Sequence, residues 1–357
     1  MKTLQVNAGN EAGGGRTLII NLLQALNEQG VDSQLLVFER GPVSDLAQKH
    51  QIPTTIMNQN GRWDLSVAKR LKKFIQDNNI DVVNTHGPRA NFIMSLIHRQ
   101  VSAKWVVTVH SNPHIDFAPN LVGKLLKALN VRSLKRPDLL MLVTPQFQPI
   151  LEDLGIAPAK MKSIFNAIYF NDSPPETTRQ KVYTIVNIAS LIPVKNQQAL
   201  LRALARVPFD YHLQIVGDGP LRAQLEKLAD QLQIANKVEF SGFQDDTSAY
   251  YTHADVFVLP SVSEGFPMVL LESANHALPM IVADTGSDAQ VVHSDTGWVV
   301  EPDNLSQLQS AIEAAYQLWQ QDQLRSLGQK FFFYCKKNFS SARLAKTVIN
   351  IYQNLIR

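Results

Sequence analysis

With 357 residues, of which 45% are apolar and 18% charged, the chain is too long for one core and has an ordinary globular composition, comfortable for two domains. Its formal net charge of +3 is too weak a field to argue for a nucleic-acid partner, and its single cysteine, Cys335, excludes an intrachain disulfide and a cysteine-based metal site. No run approaches the ~18 apolar residues of a membrane span, and residues 1–10 lack the charged lead and apolar segment of a secretory signal, so a cytoplasmic location is expected, with peripheral contact at the inner face of a membrane left open.

Short β-branched runs alternate with helical ones along the chain. In the first half, strands are expected at 4–6, 34–38, 81–84, 105–110, 139–143 and 162–165. Gly13, Gly14 and Gly15 follow the first strand. Three glycines let backbone N–H groups approach an oxyanion at a helix N-terminus, but a flexible strand-to-helix turn explains them equally well. The helix expected over 17–29 keeps Leu18, Ile19, Leu22, Leu23 and Leu26 on one stripe and closes on Gly30. A second, over 64–78, starts on Asp64, a good N-cap residue, and keeps Leu65, Ala68, Leu71 and Ile75 on one face. This alternation implies crossover connections and a parallel sheet.

His86 and His110 stand at C-terminal strand ends, where open parallel sheets bind ligands. A lone histidine is more often structural; two at equivalent ends of one sheet favour a site, with His110 the better candidate. No His-x-x-x-His pair and no clustered Asp has metal spacing, so no metal site is expected. Residues 121–136 form a basic amphipathic helix. Leu121, Leu125 and Leu129 share one face, with Lys124, Lys127, Arg132, Lys135 and Arg136 largely off it. It can lie on an anionic membrane, or pack on the sheet with its lysines solvated.

Residues 169–181, with Pro174 and Pro175 among polar neighbours, form the best linker. The rhythm then resumes with strands expected at 182–188, 213–216, 238–240, 256–259, 280–283 and 297–300, and three helices finish the chain. The reading is two doubly wound α/β domains facing each other, 1–168 and 182–340. Lys195 precedes the helix that begins at Gln197. A lysine at a helix N-terminus opposes the helix dipole, which a nearby anion would explain; a solvated loop lysine is the alternative. Gly217, Asp218 and Gly219 repeat the strand-to-glycine-turn logic, with Asp218 read first as a helix cap. Phe331, Phe332, Phe333 and Tyr334 read as a core patch between the domains.

The most informative stretch runs from Ser263 to Glu272. Two carboxylates, Glu264 and Glu272, come straight after a buried strand, and Gly265, Phe266 and Pro267 lead into an apolar helix opened by Met268 and Val269. Acids are rare at the mouth of a parallel strand, so a site is expected there.

Taken together, these features resemble the retaining, GT-B type glycosyltransferases of family 4. The resemblance rests on Gly13–Gly15, His110, Lys195, IVGDGPLRAQLE, Thr296-Gly297-Trp298 and above all ADVFVLPSVSEGFPMVLLESANHALPMIVADTGS. It covers nearly the whole chain. It implies two Rossmann-like domains across a cleft, with the last helix, 341–357, packing back on the first. It implies metal-independent hexosyl transfer from a UDP- or GDP-linked sugar, bound as substrate with no cofactor, to a glycan or lipid-linked acceptor in cell-surface polysaccharide or glycolipid synthesis.

By the same resemblance Lys195 meets the donor diphosphate and Glu264 the transferred sugar, where it stabilises oxocarbenium charge. The amides of Phe266, Met268 and Val269 receive sugar or phosphate oxygens, Glu272 holds the ribose hydroxyls, His110 lies near the sugar, and Gly13–Gly15 lie near the diphosphate and acceptor. One position departs: many relatives carry an arginine where this chain has Ser190, and Arg16 or Arg89 is the candidate for the missing charge. That departure keeps a catalytically silent binding partner of another enzyme as the alternative; an epimerase or phosphorylase of similar architecture is a third reading.

Overall fold

Leu4 and Val6 alternate with Thr3, Gln5 and Asn7 in the first strand, and all five are buried, because this strand lies inside a sheet covered on both faces. The computed structural model describes residues 1–11, 13–61, 64–113, 117, 120–175 and 179–357, and the chain divides into two units, Met1–Tyr169 with Phe339–Arg357, and Phe170–Asn338.

The first unit is built on seven parallel strands: β1 (Lys2–Asn7), β2 (Asp32–Val37), β3 (Thr54–Ile56), β4 (Val82–His86), β5 (Lys104–Val109), β6 (Leu139–Leu142) and β7 (Met161–Ser163). Their order is β3-β2-β1-β4-β5-β6-β7, so the winding reverses between β1 and β4. At that point the register pairs Asn7 with His86 at the carboxyl ends of the two strands. The helices are α1 (Gly14–Glu28), α2 (Pro42–Lys49), α3 (Ser66–Asp77), α4 (Pro88–Ile97), α5 (Leu121–Leu134) and α6 (Phe147–Asp153). The second unit carries β8 (Thr184–Ile188), β9 (His212–Val216), β10 (Val238–Gly242), β11 (Val256–Leu259), β12 (Met280–Ala283) and β13 (Gly297–Val300) in the order β10-β9-β8-β11-β12-β13. Here the switch lies between β8 and β11. Its helices are α7 (Gln197–Leu204), α8 (Arg222–Gln231), α9 (Ser248–Thr252), α10 (Met268–Asn275), α11 (Leu305–Gln320) and α12 (Leu324–Phe339). The chain then re-enters the first unit, where α13 (Ser341–Ile356) packs on α1 and buries Leu344, Ala345, Val348 and Tyr352.

Several expectations change. The strand β3 was not read: it is three residues long, follows Pro53, and sits at the sheet edge, so it has no alternating pattern to show. The helix expected from Asp64 begins at Ser66, and Asp64 caps it by accepting from the Ser66 amide at 2.9 Å. The expected core patch is split: Phe331 and Phe332 are buried, while Phe333 is exposed. On α5, Gly123, Asn130, Ser133 and Leu134 face inward, whereas Leu121 is 83% exposed and Leu125 58%. Leu121 and Leu125 therefore do not pack on the sheet, while Leu129 is half-buried. Residues 176–178 of the expected linker lie outside the described residues. Asn171, within the same stretch, donates its backbone amide to Asn275 Oδ1 at 2.8 Å.

Candidate active site

Three chain segments meet at the carboxyl ends of β8, β11 and β12. Lys195 arrives from the turn after β8, held next to Asn196 in the left-handed conformation (φ 53°) that lets α7 start. Glu264 comes from the loop after β11, three residues before Pro267 caps α10. Lys195 Nζ donates to Glu264 Oε1 at 2.6 Å, with the two side chains only 20% and 9% exposed. Removed from water to this degree, the pair leaves up to two more N–H donors of the ammonium for a ligand.

A third charged group joins them. Asp288, after β12, is 1% exposed, and Thr285 Oγ1 donates to its Oδ2. Its other oxygen, Oδ1, is buried without a hydrogen-bond partner. Burial first, and the negative charge of Glu264 in addition, push its carboxyl up to about 7, against the opposing pull of Thr285 and Lys195. One ammonium thus serves two carboxyls.

Glu272 lies on α10, where its Oε2 accepts from Tyr251 OH at 2.8 Å and burial raises its carboxyl above the ordinary value. Tyr251 is in turn stacked on His276, with ring centroids 4.9 Å apart. Phe266 is buried beside this turn, and the amides of Met268 and Val269 lie in the first turn of α10, where N–H groups have no intrahelical acceptor. Gly265 and Pro267 complete the loop. Ser190 is exposed after β8, beside Gly217. A Cβ on Gly217 (φ +138°) would stand 2.1 Å from the Ala189 carbonyl, and one on Gly219 2.5 Å from that of Leu191. Backbone crossing alone therefore demands both glycines, and the turn they form holds the Ser190 segment in place.

In the first unit, His110 follows β5 and His86 ends β4. His86 Nδ1 and His110 Nε2 are 2.8 Å apart, and His86 Nε2 is 2.9 Å from Gln5 Oε1. His86 is wholly buried with both ring nitrogens engaged, by His110 and Gln5, and the residue borders the cavity described below. Arg89 borders the same cavity and already has protein partners. Its Nη2 donates to the Ala8 carbonyl at 3.0 Å and to Glu39 Oε1 at 2.6 Å, so its charge is already committed. Arg16 Nε is buried without a hydrogen-bond partner. Gly13 takes φ +65° ahead of α1, and Gly14 and Gly15 open the helix. The turn is met by the chain's own Glu11: a Cβ on Gly15 would come within 2.7 Å of its Oε1. Beside it lies a cavity of about 520 Å³ whose lining combines Asn10 and Glu11 with Phe92, Leu126 and Leu129. Among the described residues, no three His, Cys, Asp or Glu side chains gather as a metal site.

Asp288, Thr285, Tyr251, Gln5 and Glu11 were not read as site residues from the sequence. Asp288 and Thr285 carry the same signal that picked out the histidines, polar residues just past a buried strand. The other three are reached only through the fold.

Known proteins resemble both halves of the chain. Residues 12–171 match the family described as Glycosyltransferase Family 4, and residues 170–330 that described as Glycosyl transferases group 1. The chain is 26% identical over 295 residues, 79% of each chain, to the N-acetylgalactosamine-N,N'-diacetylbacillosaminyl-diphospho-undecaprenol 4-alpha-N-acetylgalactosaminyltransferase of Campylobacter jejuni. It is 24% identical over 311 residues, 80% of each, to an Escherichia coli UDP-Gal:alpha-D-GlcNAc-diphosphoundecaprenol alpha-1,3-galactosyltransferase. Its fold matches that of Anabaena HepE, solved in complex with UDP, with a TM-score of 0.85 at 17% identity, over 99% of this chain and 100% of the other. Two parallel sheets, each with its polar residues at a topological switch point, and two matched halves in the right order lead to one assignment: the chain belongs to the GT-B type glycosyltransferases of family 4.

Proposed function

We propose that this glycosyltransferase moves a hexose, with retention and without a metal ion, from a UDP-linked donor to a lipid-linked glycan acceptor in cell-surface polysaccharide synthesis. The observation that carries the donor half is the Lys195–Glu264 contact at 2.6 Å beside the first turn of α10. Lys195, still holding Glu264, meets the diphosphate with its remaining N–H groups, and the amides of Met268 and Val269 add to it, so the leaving charge is met by protein cations and dipoles. Glu264 faces the sugar and stabilises positive charge at its anomeric carbon. A carboxylate tied to an ammonium at 2.6 Å is a poor nucleophile, which favours same-face attack over a covalent intermediate. The bond from the anomeric carbon to the phosphate oxygen breaks as the bond to the acceptor oxygen forms, and the acceptor's proton leaves on the departing phosphate. Glu272, oriented by Tyr251, holds the ribose hydroxyls.

The acceptor half rests on the mixed polar and apolar cavity beside Glu11, and on the curated relatives whose names carry diphospho-undecaprenol acceptors. The exposed Leu121, Val122 and Leu125, flanked by Lys124, Arg132 and Lys135, suit an anionic membrane surface that would present such an acceptor. The deciding experiment is nucleotide release from a panel of UDP- and GDP-sugars with a polyprenyl-diphosphate-sugar acceptor, with and without a chelator. Glu264→Gln should lower kcat by ~10² or more. Turnover unchanged in Glu264→Ala, or abolished by the chelator, would overturn the mechanism.

A further inference from the structure

Beneath His110 lies a buried polar chain that glycosyl transfer, as described above, does not use. Asn84 Nδ2 donates to Gln5 Oε1 at 2.9 Å, and Gln5 Nε2 reaches Tyr352 OH, on α13, at 3.4 Å. Thr108 Oγ1 donates to Asn84 Oδ1 at 3.0 Å. All four residues, with His86, are buried. We infer that His86, oriented by Gln5, is a positioning residue that holds His110 in its Nε2–H tautomer, so that Nδ1 of His110 presents a lone pair to a substrate hydroxyl.

The direction follows from counting protons. Gln5 Oε1 accepts from Asn84 Nδ2 and stands 2.9 Å from His86 Nε2. Turning the Gln5 amide round would set its NH₂ against that of Asn84, so the oxygen is assigned to this place. His86 then carries its proton on Nε2 and has only a lone pair on Nδ1. The 2.8 Å contact between the rings holds one proton, which has to belong to His110 Nε2. Burial keeps both rings neutral: it holds His86 well below the usual imidazole range, with His110 adding to the effect, and lowers His110 to about 4. The side chains of the network behind the pair, Gln5, Asn84, Thr108 and Tyr352, are all uncharged at neutral pH. Among the described residues His110 Nδ1 makes no hydrogen bond, and it is not a buried orphan. A neutral imidazole in this state accepts from a hydroxyl and repels a phosphate oxygen. The network thus makes His110 selective for sugar or acceptor O–H groups rather than for the diphosphate.

The proposal rests on the glycosyl-transfer reading only for the identity of the hydroxyl, and its first test needs no turnover. Two-bond ¹⁵N–¹H correlation spectra of the ¹⁵N-labelled whole chain report each imidazole tautomer. The expected result is His110 protonated on Nε2 in the parent protein and in His86→Asn, whose amide oxygen can replace Nδ1 as acceptor, and a mixture of tautomers in His86→Leu. Gln5→Leu, which removes only the group that orients His86, should give the same mixture and serves if His86→Leu does not fold. His110 found as the Nδ1–H tautomer, or unmoved by His86→Leu and Gln5→Leu, overturns the proposal. In turnover assays His86→Leu should lose ~10² in kcat with donor KM changed less than about 3-fold, and His86→Asn should recover most of that loss. A loss confined to KM, or none, also overturns it. A parent protein inactive with every donor would count against glycosyl transfer and leave the spectra to decide the tautomer.

Discussion

At the scale of single residues, the cluster of Lys195, Glu264 and Asp288 sets a problem of charge: two carboxyls face one ammonium in a place nearly closed to water. Removing the ammonium should be severe. Lys195→Met leaves Glu264 buried without its partner and should cost ~10²–10³ in kcat, measured in the nucleotide-release assay. For Asp288 the sign runs the other way. Its folded-state value of about 7 lies above the ordinary 3.8, so the folded protein keeps a proton that the unfolded chain releases. The stability that this proton confers is complete below pH ~4 and disappears as pH rises through 7. Asp288→Asn should therefore raise the Tm relative to the parent at pH 8 and leave it level at pH 4, as scanning calorimetry would read. Lys195 and Glu264 were legible in the sequence because each breaks a local rule, a cation at a helix start and an acid at a strand mouth. Asp288 breaks none. It joins them only because β11 and β12 are neighbours in register, Leu259 beside Val282, which no spacing in the sequence records.

At the scale of elements, most strands were legible because buried parallel strands are continuous apolar runs, whereas β3, too short and at an edge, was not. The glycine turn after β9 was legible as a turn but not in its cause, since only the fold shows the Ala189 carbonyl where a side chain would stand. Gly217→Ala should lower stability by about 3 kcal/mol or more in denaturant titration, from overlap and backbone strain together. The basic character of α5 was legible and its orientation was not. Periodicity marks an apolar stripe without saying whether it faces a core or the outside. With Leu121 and Leu125 outward, the protein should co-float with anionic liposomes and lose that binding as salt rises. Leu121→Asp with Leu125→Asp should reduce it at least ~10-fold, while neutral liposomes should retain little of either protein.

At the scale of the whole molecule, the alternation of strand and helix was enough for the fold class, and the two units respond to acid in opposite ways. In the first, burial lowers His86 and His110, so between pH ~6.5 and ~4 the unfolded chain takes protons that the folded unit refuses, and stability falls as the pH falls. In the second, burial raises Asp288 to about 7 and Asp255 to about 6, so the same acidification adds stability. Calorimetry from pH 7.5 to 5 should show one transition moving down and the other up. Both moving the same way would contradict the buried charges described here.

The return of the chain into the first unit carries a consequence for synthesis. Phe170–Asn338 is one uninterrupted stretch, but the first unit needs residues on both sides of it, and Tyr352 is made after the whole of the second unit. On the ribosome the amino-terminal sheet must wait, without α13 to cover α1, until everything between has been translated. The second unit can therefore reach its native state first, reversing the usual order in which domains finish folding from the amino end. The histidine pair would find its final geometry only after the second unit has been made, and any stall before residue 352 would leave it unsupported.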